Sequence, residues 1–293
     1  MTLKTLVQTP SRTAGMDPET EFHEIYRALA TYEFPWDINQ ALSFALFRTY
    51  AVPSIGDLLD RTGEFRDRPQ KRYDDTAVLL EVPLLKGFDS TDGRAAIHRI
   101  NQMHKMFEIS NDDMRYVLAT FVVVPVRWIA DYGRRPLTDD EIRATVLYYR
   151  QLGRHMAIKD VPETYEEFAA LMDSYEAAHY RSGGTAGVRR TGDATIDLFK
   201  TFYPAPLRPL IGAFSLSVMD DALLDAFGYR RPPAALRFAS RAGLRIRGRL
   251  VSLLPRRRRP RHVHDLPRIK SYPNGFDIER MGTFAPPGCP VRH

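Results

Sequence analysis

Arg94-Ala95-Ala96-Ile97-His98-Arg99-Ile100-Asn101-Gln102-Met103-His104-Lys105-Met106-Phe107 is the stretch whose reading decides the fold. Ile97, Ile100, His104 and Phe107 recur at steps of three and four, which is the period of a helix and not of a strand. The spacing lays His104 on the apolar face, four residues after Ile100 and seven after Ile97. His98 aligns with Arg94, Gln102 and Lys105 on the polar side. An imidazole aimed into a core needs a partner. A carbonyl or a side chain is the ordinary partner of a core histidine; a metal or a haem iron is the other.

The same period runs outward in both directions. Phe22, Ile25, Tyr26 and Leu29 mark a helix over 20–32, which Pro35 is expected to stop. Asp37 is expected to cap a helix through Tyr50. A short helix follows Ser54, and the next runs from about Gln70 to Leu85. Ser110 or Asn111 caps a helix through Ala130, with Pro125 expected to kink it. Thr138 with Glu141, and Thr164 with Glu167, have the spacing of capping boxes. Gly183-Gly184 reads as a flexible link, with helices beyond it over 194–202, 207–227 and 234–254. No alternating strand pattern persists. The expectation is an all-α protein with one multi-helix domain over 19–282, a flexible leader over 1–18 and an irregular tail over 283–293.

Composition narrows the class. The chain has 293 residues, 44% hydrophobic and 27% charged, which suits a soluble globular protein. Cys289 is the single cysteine, so neither an intrachain disulfide nor a thiolate zinc cluster can form. No apolar run reaches the roughly 20 residues of a membrane span, and the first residues lack a signal-peptide core. The expected location is cytoplasmic, with peripheral membrane contact as a further option. A net charge of +6 favours anionic surfaces. Arg237, Arg241, Arg245 and Arg249 recur every four residues, and Arg256–Arg259 and Arg261 follow. Leu236, Leu250 and Leu254 lie away from that stripe. For Arg237–Arg261 the pattern reads first as a solvated helix face with a mobile arm, and an anionic membrane surface is the alternative partner. The run lacks interleaved aromatics and any recognised module, so nucleic acid is not expected.

Arg72 and Thr76 stand four apart on one helix face, which Leu79, Leu80 and Pro83 continue. An arginine there can meet carboxylates, and a threonine beside it can donate a hydrogen bond. A structural Arg–Asp pair and a packing threonine are the plainer reading. Asn111, Asp112 and Asp113 read as cap residues, not as metal ligands. His155 reads as partly buried and structural, and His262 and His264 lack metal-site spacing. Cys289-Pro290 lies in a Pro-rich tail ill suited to bind haem.

Four motifs carry a family resemblance. They are Ala45-Leu46-Phe47-Arg48-Thr49-Tyr50-Ala51-Val52-Pro53-Ser54-Ile55, Lys71-Arg72-Tyr73-Asp74-Asp75-Thr76, and Arg99 to His104 continuing through Asn111-Asp112-Asp113-Met114 to Arg127-Trp128-Ile129. Tyr272-Pro273-Asn274-Gly275-Phe276 is the fourth. In this order they resemble the MpaB oxygenase family, and more distantly the latex-clearing rubber oxygenases, from about Phe44 to Gly282. The resemblance implies haem b held in a globin-like helical core, with His104 as proximal iron ligand and Arg72 and Thr76 on the distal side. It implies dioxygen and a lipophilic small molecule as substrates, and oxidative cleavage of a C=C bond in an isoprenoid-like chain. Arg72 and Thr76 would stabilise negative charge as it develops. Asp75 stands where rubber oxygenases have a lysine. It is a candidate proton acceptor if it faces the pocket, and otherwise a solvated aspartate. Phe44, Phe47, Leu79 and Phe121 are candidate channel residues, with core packing as the alternative for each. Two other functions fit the same residues: a non-catalytic haem or oxygen carrier, and a cofactor-free peripheral membrane protein.

Overall fold

Pro18, Pro35, Pro53 and Pro69 each stand in the first turn of a helix, where a missing N–H costs nothing and a fixed φ helps. A computed structural model describes residues 11–284. Its helices, in chain order, are α1 (Pro18–Ala28), α2 (Pro35–Thr49), α3 (Pro53–Thr62), α4 (Glu64–Asp67), α5 (Pro69–Lys86), α6 (Thr91–Lys105) and α7 (Asn111–Tyr132). α8 (Asp139–His155), α9 (Tyr165–His179), α10 (Ala186–Thr201), α11 (Arg208–Val218), α12 (Asp221–Phe227) and α13 (Ala234–Ser252) follow. No strand occurs among the described residues, and the protein is an all-α single domain.

α7 is the central helix. α2, α8, α9 and α13 pack against it, and Ala119, Val122, Val123 and Ile129 are fully buried there. Each large apolar side chain so buried contributes about 1.5–3 kcal/mol. α13 seats on the end of α7 at Gly248, where a Cβ would run into the Tyr132 carbonyl. α5 lies along α6 beside a smaller core of Val78, Leu79, Ala96 and Ile100. A buried charge network ties α2 to α9. Arg48 forks onto Glu176 at 2.8 Å through Nε, reaches Asp220, and the Tyr116 hydroxyl donates to Glu176 at 3.0 Å.

Both capping boxes form, at Thr138 with Glu141 and at Thr164 with Glu167. Ser110 is the cap of α7. Several expectations are corrected. The first helical run ends at Glu33, just before Pro35 as expected, and Pro35 also opens α2; Asp37 is no cap, being buried inside α2 and paired with Arg247 at 2.5 Å. From Ser11 onward the leader is not loose, because Thr13 is buried and donates to Glu141 at 2.6 Å. Gly183 and Gly184 adopt positive φ, and the Gly183 N–H donates to the Asp225 carbonyl at 2.8 Å. That holds a turn where a flexible link was expected. The helix expected over 207–227 breaks in two because Asp220 caps α12.

The arginine stripe is also corrected. Arg237 and Arg241 both donate to the Met219 carbonyl at 3.1 Å, and Arg237 pairs with Asp221 at 2.5 Å. Arg245 lies over the Tyr132 ring. The Arg237–Arg241 half of that side therefore faces the protein, while Arg245 and Arg249 are exposed and Ile246 and Leu250 face out.

Residues after Ser252 are irregular but tied down. This segment crosses α5 and α6 as a strap. Asp74 accepts from the Lys270 and Ser271 amides at 3.0 and 2.9 Å. Arg99 donates to the Met281 and Thr283 carbonyls, both at 2.6 Å. Gly282 adopts φ +80°, and any Cβ there would run into the Met103 sulfur. Cys289 lies outside the described residues.

Candidate active site

Arg72 and Thr76 meet on one face of α5. The guanidinium donates to the Thr76 hydroxyl, and that hydroxyl donates back to the Arg72 carbonyl at 2.9 Å. Arg72 also lies over the Phe65 ring, 5.7 Å from its centre. Both residues line a cavity that is partly open to solvent. Leu42 and Leu46 of α2, Leu80 of α5, Tyr148 and Tyr149 of α8 and Leu198 of α10 supply much of its wall. An apolar cavity with a few converging polar groups is the usual form of a small-molecule site.

His104 sits near the end of α6, and its Nδ1 is shut off from solvent with no hydrogen-bond partner among the described residues. Burial, with the Arg72 charge adding to it, pushes its pKa down to about 4. The ring is therefore neutral near pH 7 and keeps a lone pair for a metal. His104 is not itself on the cavity wall; Arg72 is, and its charge reaches the imidazole. Leaving a buried polar atom unpaired costs about 1–3 kcal/mol. Ligation would offset that cost. The donor set suits haem: one neutral imidazole for the iron and one guanidinium for carboxylate groups. Among the described residues no three His, Cys, Asp or Glu side chains converge.

Asp75 does not face the cavity, nor is it solvated. It is buried, accepts from Lys71 at 2.7 Å, and takes the Tyr272 hydroxyl proton as a hydrogen bond. Both expectations for it are thus corrected: α5 turns Asp75 toward the strap. Asp75→Asn is expected to destabilise the fold by about 1–3 kcal/mol, because Lys71 and Tyr272 lose their charged acceptor. Thermal unfolding would show the loss, and a protease should nick residues 263–284 sooner. An unchanged melting temperature with lost turnover would make Asp75 catalytic instead.

Two wall residues escaped the sequence reading. Glu81 lines the cavity while its carboxylate accepts from the His264 amide at 3.0 Å and pairs with His264 Nδ1 at 2.6 Å. A glutamate inside Leu79-Leu80-Glu81-Val82-Pro83 was the available signal. Tyr149 shares a hydrogen bond with Tyr26 at 2.7 Å, and nothing in sequence spacing pairs residues so far apart. Of the candidate channel residues, Phe47, Leu79 and Phe121 are core, and Phe44 lines a second cavity and stacks on Trp128. His155 stacks on Phe88 at 5.2 Å, and His98 is exposed beside Gln102.

A family model described as "ER-bound oxygenase mpaB/B'/Rubber oxygenase, catalytic domain" matches residues 39–249. That span includes Arg72, Asp75, Thr76 and His104 and ends before the strap. ER-bound oxygenase mpaB of Penicillium roqueforti (strain FM164) is 31% identical over 238 residues, covering 74% of this chain and 78% of that protein. ER-bound oxygenase mpaB' of Penicillium brevicompactum is 30% identical over 227 residues, covering 71% of this chain and 53% of that protein. The mpaB oxygenase of Penicillium brevicompactum is 30% identical over 231 residues, covering 72% and 58%. The chain thus spans little more than half the length of two of these relatives.

Proposed function

The chain belongs to the family of mpaB and rubber oxygenase catalytic domains, and from that premise we propose that it is a haem b-dependent oxygenase. Its reaction is oxidative cleavage of a C=C bond in an isoprenoid or other lipophilic substrate; one alkene and one dioxygen give two carbonyl fragments. The observation that carries this reading is the neutral, half-buried imidazole of His104 near Arg72, whose Nδ1 is shut off from solvent without a partner among the described residues.

Bound haem b supplies the redox-active iron at which dioxygen is used. His104 offers it a ligand without first losing a proton. Arg72 holds a fixed positive charge at the cavity wall, where it can bind a carboxylate or stabilise negative charge as it develops. Thr76 orients the guanidinium through their mutual hydrogen bonds. The leucines of α2, α5 and α10 exclude water and hold an apolar chain. The relatives' names place them at the endoplasmic reticulum; for this chain we propose peripheral membrane contact, and no described helix is long and apolar enough to cross a membrane.

Protein expressed with haem should show a Soret band. Incubation with polyisoprenoids or prenylated phenols should yield carbonyl products detectable by mass. Arg72→Leu is expected to lower turnover on the order of 10²-fold with the Soret band retained, as for loss of one charge-stabilising donor. A Soret band with no carbonyl product from any alkene would leave a haem carrier. Protein that takes up no haem would sink the proposal.

A further inference from the structure

We infer that the outer face of α13 is a docking surface for an anionic lipid bilayer. α13 is 19 residues long and amphipathic in an unusual sense. Its inner side, with Ser240, Leu244 and Gly248, is buried against the bundle. Its outer side carries Phe238, Ile246 and Leu250, and Leu253 follows directly; they are 74%, 54%, 59% and 78% exposed. At 100° per residue these side chains fall on one arc, with Ala239, Ala242 and the exposed Arg249 between them and Arg245 at its edge. Large apolar side chains left exposed together mark an interaction surface.

Charge selects the occupant. Arg245 and Arg249 are exposed on α13, and Arg257, Arg258 and Arg259 are exposed just beyond it. None of these five forms an ion pair among the described residues, whereas Arg237 and Arg247 of the same helix do. An apolar arc bordered by unneutralised arginines matches a bilayer with acidic headgroups. The apolar side chains enter the acyl boundary and the guanidinium groups stay among the phosphates. A second copy of the chain fits poorly, because it would press the same arginines against one another. The neighbouring helix α11 exposes Leu210, which lines the second cavity; that cavity shares Ser43, Tyr73 and Phe199 with the first.

This surface is separate from the haem reading, and its test needs neither cofactor nor turnover. The full chain is sedimented with phosphatidylcholine vesicles, and with vesicles in which about a third of the lipid is phosphatidylserine. Binding is expected to the second kind and to fall with added salt. Arg257→Gln/Arg258→Gln/Arg259→Gln should weaken it by about a hundredfold, from about fivefold per arginine. Phe238→Ser/Leu250→Ser/Leu253→Ser should weaken it at least about tenfold. All six side chains are exposed, so both variants should melt as the wild type does. Equal binding by all three proteins would overturn the inference. So would absent vesicle binding together with self-association, seen by light scattering, that the serine variant abolishes.

Discussion

His104→Leu should raise the melting temperature of the cofactor-free protein and abolish its Soret band on haem addition. The two effects have one cause. In the free chain the buried Nδ1 lacks a partner, and its desolvation is uncompensated. Leucine fills a similar volume with no polar atom, for a gain of about 1 kcal/mol, or roughly 2–4 °C at this size. With haem present the order should reverse. Ligand at about 100 times its dissociation constant adds about 2.7 kcal/mol to the wild type and nothing to a variant that cannot bind. Two melting curves and two spectra decide the matter. A melting temperature that falls by several degrees in the free variant would make His104 an ordinary core histidine. A retained Soret band would place the iron ligand elsewhere. The stability given up at His104 is the pattern expected of a functional group held ready.

Arg48→Ala should be the most damaging single substitution for the fold, at about 3–5 kcal/mol. Burial alone would lower the Arg48 pKa, yet the hydrogen bond to Glu176, with the charges around it, holds it raised. Removing the guanidinium strands the Glu176 carboxylate, whose side chain is 9% exposed, against the Tyr116 hydroxyl. The melting temperature should drop by roughly 6–15 °C. Arg48→Met/Glu176→Gln should recover a large part of the loss, because it removes the orphaned charge along with its partner. A double variant no better than Arg48→Ala would refute charge stranding. The acid limb carries a second signature. Burial would raise the Asp220 pKa, and the Arg48 charge brings it below 3.8. A depressed folded pKa contributes stability above the unfolded value that is lost as pH falls through the folded one. Arg48→Ala should therefore flatten the stability profile below about pH 4.

Much of the helical layout was legible from local signals. Capping boxes and the three-to-four period are written within a few residues, and local backbone geometry obeys them. The face of His104 was legible for the same reason. Asp75 was not: it and Thr76 are adjacent, but a step of 100° turns one to the strap and the other to the cavity. Only the course of residues 263–284 reveals that a buried partner, Tyr272, waits there. The arginines of α13 mislead in the same way. A stripe of like charge reads as solvated until the Met219 carbonyl and Asp221 arrive from a separate helix boundary.

By itself the sequence determined the helical class, where most helices begin, the family, and an imidazole on an apolar face. Tertiary structure alone decided which carboxylates are anchors, which residues wall the cavity, and which side of α13 is left bare. Periodicity states which side chains share a face. What comes to rest on that face is set by elements distant in the chain.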